Sequence, residues 1–164
     1  IPMCAFERSE KGMEFFMNIQ IKEMSIADLE NIKNILECDF DNFWNYTVFK
    51  DELNSINSKY ITAFINDEII GFAGIKISGN EADIMNIVTK KIYRNNGVGK
   101  KLLSSIIELC RSNNISTIFL EVNEDNFPAI SLYEKFGFSK IGIRKNYYNG
   151  KNGISMSKKI FEEF

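Results

Sequence analysis

The spacing of apolar residues changes along the chain at clear points. "NIQIKEM" (18–24) alternates, with Ile19 and Ile21 on one face, which predicts a strand. Ser25 then stands as an N-cap, and Asp28 places an acid in the first turn of the next element. "IADLENIKNILE" carries Ile26, Leu29, Ile32, Ile35 and Leu36 at helical spacing and predicts one helix. "DFDNFWNYTVF" (39–49) is aromatic and without period, a loop leading into a short helix near 46–56. "KYITAFI" (59–65) and "IIGFAGIKI" (69–77) read as strands joined by the turn "NDE", and "EADIMNIVT" (81–89) as a third after "SGN". Val98, Leu102, Ile106 and Leu109 line one face of a helix over 97–113. "ISTIFLEV" (115–122) is apolar and β-branched, which predicts a strand buried on both faces. "NFPAISLYEKFG" (126–137) is a short helix, capped by Asn126 and ended by Gly137 in the left-handed conformation. "FSKIGIRKN" (138–146) and "GISMSKKI" (153–160) are the last strands, with Tyr147 and Tyr148 expected in the loop between them.

This order predicts an α/β fold with a mixed sheet and helices on both faces. The sheet is expected to be antiparallel at its start, with a parallel pair flanking the 97–113 helix. The regular pattern spans 17–164 and fits a single domain. The irregular stretch 1–16 is set aside as an added or upstream extension; the alternative is an arm packing through Phe6, Phe15 and Phe16.

Composition narrows the chemistry. The chain has 164 residues with 20 basic and 22 acidic side chains, so bulk charge gives no reason to expect direct nucleic-acid binding. No apolar run reaches the roughly 20 residues of a membrane span, so no membrane partner is expected. There is no histidine, which removes Ser-His-Asp and Cys-His nucleophilic catalysis and the commonest metal ligand. No metal is expected. Cys4, Cys38 and Cys110 form no CxxC, which argues against a disulfide framework and for a reducing cytoplasm. Cys38 and Cys110 fall on apolar helix faces and read as core residues.

One segment carries a chemical signal. "YRNNGVGKKLL" (93–103) places Arg94, Gly97 and Gly99 between a strand and a long helix. A helix N-terminus offers unpaired N–H groups and partial positive charge, and glycine lets a backbone come close to an anion. The expected product is a cradle for a phosphate or pyrophosphate. The Walker A pattern fails, because Lys101 stands where Ser or Thr is needed. The dinucleotide fingerprint fails as well, because Leu102 stands where its third glycine belongs. A turn that merely starts a helix is the bland alternative.

Arg94-x-x-Gly97-x-Gly99 after a strand resembles the acyl-CoA pyrophosphate loop of the GCN5-related N-acetyltransferases. "MNIVTKKIYRNNGVGKKLL" (85–103) is similar to that family's cofactor motif, and "LEVNEDNFPAISLYEKFGF" (120–138) to its second motif. With "IRKNYY" downstream and "DFDNFWNYTVFKDEL" (39–53) upstream, the chain most resembles the bacterial ribosomal-protein alanine N-acetyltransferases. The resemblance covers roughly 18–158. Three stretches depart from it: "NIVT" and "KKIY" in the cofactor motif, and "KNGISM" (151–156) where an acidic residue and alanine are usual.

The resemblance implies an acetyltransferase fold, acetyl-CoA as co-substrate, and the N-terminal amine of a protein, such as a small-subunit ribosomal protein, as acceptor. It implies Glu121 as general base and Tyr133 as general acid. An apolar strand around a carboxyl favours its neutral form, which suits a base working near neutral pH. It further implies that Ile87, Val88 and Thr89 meet the pantetheine arm. The N–H groups of Asn95, Asn96, Gly97, Val98, Gly99 and Lys100 would hold the pyrophosphate, with Arg94 adding charge and Asn126 a further contact. Phe43 and Trp44 would wall the acceptor cleft opposite Tyr147 and Tyr148. For each residue a plain structural role stands beside this one: a surface or ion-paired Glu121, a packed Tyr133 ring, a simple Asn126 cap, an aromatic cluster completing the core. A small amine such as a polyamine, an antibiotic or an amino acid remains an alternative acceptor, and an acyl-CoA-binding sensor without turnover an alternative function.

Overall fold

The computed structural model describes residues 18–40 and 45–161. Along the chain come β1 (Gln20–Glu23), α1 (Ile26–Ile32), a 3-10 turn (Lys33–Ile35), α2 (Leu36–Asp39), α3 (Tyr46–Asn54), β2 (Ser58–Ile65), β3 (Glu68–Ser78) and β4 (Glu81–Thr89). A second 3-10 turn (Lys91–Tyr93) leads to α4 (Val98–Ser112), β5 (Thr117–Asn123), α5 (Phe127–Lys135), β6 (Ser139–Tyr148) and β7 (Lys151–Lys159). The strands form one mixed sheet in the order β1-β2-β3-β4-β5-β7-β6. The chain also divides into two compact units interleaved in sequence. Among the described residues, one holds those up to Ile75 with Asn86–Ile106; the other holds Lys76–Met85 with those from Ile107 onward.

In the first unit β1 pairs antiparallel with β2, from Gln20 opposite Phe64 to Glu23 opposite Ile61. Ser25 starts α1 with a capping box: its Oγ accepts from Asp28 N–H at 3.1 Å, and Asp28 Oδ2 accepts from Ser25 N–H at 2.8 Å. The single helix expected here is broken by the 3-10 turn over Lys33–Ile35. The tighter winding lets Leu36 and Phe40 join the same core as Leu29 and Ile32. Phe72 of β3 completes that core, its ring centroid 5.5 Å from Phe40 and 5.0 Å from Phe49. Burying each such side chain contributes about 1.5–3 kcal/mol. On the other face of β3, Gly71 lies under Val98 and Leu102 of α4. Helices therefore cover both faces, as the pattern predicts. The side chain of Cys38 lies outside the described residues. Among the described residues no helix is long and apolar enough to cross a membrane.

In the second unit β4 and β5 are parallel, from Glu81 opposite Thr117 to Asp83 opposite Phe119. β5 runs antiparallel to β7, and β7 antiparallel to β6. Cys110, Ile115, Ile118, Leu120, Val122, Phe138 and Met156 are buried here. Two expectations fail in this unit. β5 is not buried on both faces: Ile118, Leu120 and Val122 point inward, while Thr117, Phe119, Glu121 and Asn123 alternate at partial exposure. Tyr147 and Tyr148 are not loop residues but the end of β6, with Tyr148 opposite Lys151. The turn is only Asn149-Gly150, with φ of +45° and +88°, the conformation a two-residue hairpin demands.

Candidate active site

The first unit contains the glycine loop. β4 ends at Thr89, and Lys90 anchors the exit: its N–H donates to Ile70 C=O at 2.8 Å, and its ammonium pairs with Glu68 at 3.0 Å and Asp39 at 3.7 Å. Tyr93 donates its hydroxyl to Glu68 as well. Burial and that carboxylate push the Tyr93 phenol above its ordinary range, so it stays a donor. The loop then turns through Asn95 and Gly97, with φ of +63° and +82°. The positive φ of Gly97 is a conformation that glycine adopts without strain. Helical hydrogen bonding in α4 begins with Lys101 N–H donating to Gly97 C=O at 3.0 Å. Helix geometry leaves the N–H groups of Val98, Gly99 and Lys100 without an acceptor in the helix. Asn96 Nδ2 donates to the carbonyls of Tyr93 (3.2 Å) and Arg94 (2.9 Å), tying off oxygens that would repel an anion. Arg94 Nε donates to Thr89 C=O at 3.4 Å, which holds the guanidinium beside the loop. These residues fit a pyrophosphate.

The second unit contains a cavity of about 510 Å³, within the range of ligand pockets. Its wall includes Lys76, Asp83, Met85, Phe119, Glu121, Ile141, Arg144, Tyr147, Tyr148 and Ser155. Glu121 Oε1 faces Arg144 Nη1 at 3.3 Å and accepts from Ser155 Oγ at 3.4 Å. Its Oε2 is buried with no hydrogen-bond partner among the described residues. The Arg144 guanidinium also lies 4.8 Å over the Tyr147 ring, and Tyr147 meets Tyr148 edge to face at 4.8 Å. Tyr148 donates its hydroxyl to the Glu121 carbonyl at 3.4 Å. Burial, with Glu81 and Glu121 adding negative charge, raises the Asp83 carboxyl. Burial, Tyr147 and Glu121 likewise raise the Tyr148 phenol.

Tyr133 sits on α5, which Asn126 caps by accepting from Ala129 N–H at 3.3 Å. Its ring packs edge on against Phe138 at 5.8 Å. Burial, with a smaller effect of Tyr148, pushes the phenol up to about 12. The group therefore carries its proton at neutral pH and is available as a donor.

Glu121, Tyr147 and Tyr148 thus share one cavity wall. Ile87, Val88, Thr89 and the residues from Arg94 to Lys100 form a strand end and loop, and Asn126 is an N-cap. Phe43 and Trp44 lie outside the described residues. Sequence reading missed Arg144, Ser155 and Asp83. Ser155 stands on β7 directly opposite Glu121 of β5, a pairing set by the register of the two strands.

Residues 29–138 match the acetyltransferase (GNAT) family. A Bacillus subtilis (strain 168) protein, provisionally named a ribosomal protein bS18-alanine N-acetyltransferase, is 34% identical over 83% of this chain and 92% of its own length. The ribosomal protein bS18-alanine N-acetyltransferase of Haemophilus influenzae is 34% identical over 74% of this chain and 90% of its length. Among solved structures, the ribosomal-protein-S18-alanine N-acetyltransferase of Escherichia coli superposes with a TM-score of 0.81 at 27% identity, covering 89% of this chain and 96% of that one. With the family matched over most of its length, the chain belongs to the acetyltransferase (GNAT) family and is an acetyltransferase.

Proposed function

We propose that this enzyme transfers acetyl from acetyl-CoA to the N-terminal α-amine of a protein in the cytoplasm, of the kind its relatives are named for: a small-subunit ribosomal protein beginning with alanine. The observation that carries this reading is the single wall formed by Glu121, Tyr147 and Tyr148 in a chain whose relatives carry that name. The glycine loop from Arg94 to Lys100 is the seat for the pyrophosphate, and Ile87–Thr89 the edge for the pantetheine arm. The amine nitrogen attacks the thioester carbonyl, a C–N bond forms and the C–S bond breaks. Glu121 takes the proton the amine loses, and Tyr133 gives its proton to the departing thiolate. An α-amine has a pKa near 8 against about 10.4 for lysine, so a carboxylate deprotonates it more easily. Tyr147 and Tyr148 offer a ring and a hydroxyl to the first peptide groups.

A second reading keeps the chemistry and changes the acceptor to a small polyamine. Asp83 and Glu121 on one cavity support it, but Lys76 and Arg144 line the same cavity and offset those two charges. The neutral balance favours a peptide, with its own polar backbone, over a polycation. The test is acetyl-CoA consumption with a panel of peptides varied in their first residue, the same peptides with blocked N-termini, and small polyamines. Turnover only with free, small first residues supports the proposal; turnover only with polyamines replaces it by the second reading.

A further inference from the structure

A single carboxylate holds the entry to the glycine loop at two points. Glu68 opens β3, and its oxygens are divided: Oε1 accepts from the Lys90 ammonium at 3.0 Å, and Oε2 accepts from the Tyr93 hydroxyl. The same ammonium meets Asp39 at 3.7 Å, and the Lys90 N–H donates to Ile70 C=O of β3 at 2.8 Å. The side chains of Lys90 and Asp39 are only 12% and 13% exposed, so this cluster is not a solvated surface pair of little worth. Lys90 precedes the 3-10 turn and Tyr93 ends it, with Tyr93 N–H donating to Lys90 C=O at 2.8 Å. Both ends of the turn are therefore tied to one residue of β3. The tie passes on along the loop. Tyr93 C=O accepts from Asn96 Nδ2 at 3.2 Å, and Asn95 between them holds a left-handed φ of +63°. Gly97 and the first turn of α4 follow directly. A carboxylate near a seat for an anion is repulsive, so Glu68 has no direct use for the ligand. What it holds in place accounts for it.

We propose that Glu68 is a positioning residue for acetyl-CoA: by holding Lys90 and Tyr93 at once, it fixes the turn that aims the N–H groups of Val98, Gly99 and Lys100. This rests on the reading of that loop as the pyrophosphate seat. The loop is then ordered before the ligand arrives, and binding is spared the cost of ordering it. Lys90 opens "KKIY", where the sequence departs from its family's pattern, so this anchor is a feature of this chain.

The experiment is titration calorimetry of acetyl-CoA into the full chain and its variants, with Tm recorded for each. Charge alone makes Glu68→Gln tighten the binding of an anion; the positioning role gives the opposite sign. Glu68→Gln is expected to raise the Kd for acetyl-CoA by about tenfold, with kcat on an alanine-first peptide unchanged at saturating acetyl-CoA. Glu108→Gln, which removes the same charge from the exposed pair with Arg111 on α4, is expected not to raise it. Tyr93→Phe keeps the ring, deletes the hydroxyl and is expected to raise the Kd too. Glu68→Gln and Tyr93→Phe together are expected to raise it by less than the product of their separate effects, because they break one contact. An unchanged or lower Kd in Glu68→Gln, an equal rise in Glu108→Gln, or independent effects in the pair overturn the proposal; the seat stands if Gly97→Val still abolishes binding. Native affinity in Gly97→Val overturns the seat and the proposal with it. If Glu68→Gln does not fold, Tyr93→Phe decides: a raised Kd supports the proposal, and an unchanged one overturns it.

Discussion

Gly71→Ala tests how the fold presents the glycine loop. Gly71 lies on β3 under the first turns of α4, and an added Cβ would fall 2.9 Å from Val88 C=O, 3.0 Å from Leu102 Cδ1 and 3.1 Å from Val98 Cγ1. Ordinary contacts begin near 3.4 Å, so each approach is too short by a few tenths of an ångström. Val98 and Leu102 are 1% and 0% exposed and have little room to rotate away, and the Val88 oxygen is backbone. Overpacking of this kind costs about 1–3 kcal/mol, and each kcal/mol lowers Tm by about 2–4 °C in a domain of this size, so a fall of about 2–12 °C is expected. The strain is also directional. Val88 precedes Thr89, and Val98 opens α4, so pushing them apart moves the two ends of the loop that runs between. Scanning calorimetry should record the lower Tm, and titration calorimetry a weaker affinity for acetyl-CoA in the folded protein. An unchanged Tm together with an unchanged Kd would refute the close packing of α4 on β3 as the support of the loop.

The geometry sets further expected outcomes. Tyr133→Phe keeps the packing on Phe138 and deletes the proton donor; kcat should fall by about 10² to 10⁴ with acetyl-CoA affinity retained, and equal rates would return Tyr133 to a packing role. The same phenol is pushed up to about 12, so the folded state holds a proton that the unfolded chain releases near pH 10; stability should decline between pH 10 and 12, less steeply in Tyr133→Phe, as urea midpoints would register. Gly150→Ala places a side chain at φ +88° in open space, so its cost is conformational alone, about 1–2 kcal/mol, and because the turn sets the end of β6 the KM for the peptide should rise in initial-rate assays. Cys110 is buried and its thiol is pushed up to about 11, so alkylation at pH 8 should mark its peptide only after denaturation.

Most of the secondary structure could be read from period alone. Ser25 with Asp28, Asn126, and Gly137 at φ +90° mark helix ends by local hydrogen bonding and backbone freedom, which sequence records directly. The misreadings have physical causes. "FLEV" is apolar enough for two buried faces, and only the neighbouring β7 and β6 decide that Glu121 and Phe119 look into a cavity. The Asn149-Gly150 pair is a hairpin signal strong enough to carry Tyr147 and Tyr148 into β6. The break after Ile32 depends on where Phe40 must reach in the core, a long-range demand that helical spacing does not encode.

The identity of the acetylated nitrogen tests the central claim most directly. An alanine-first peptide that also contains lysine, incubated with acetyl-CoA and the enzyme, can be fragmented in a mass spectrometer to locate the added acetyl group. The acetyl group is expected on the N-terminal nitrogen, with the lysine unmodified and the product absent when Glu121 is replaced by Gln. Acetyl found only on the lysine side chain, or a product formed equally by Glu121→Gln, would contradict it.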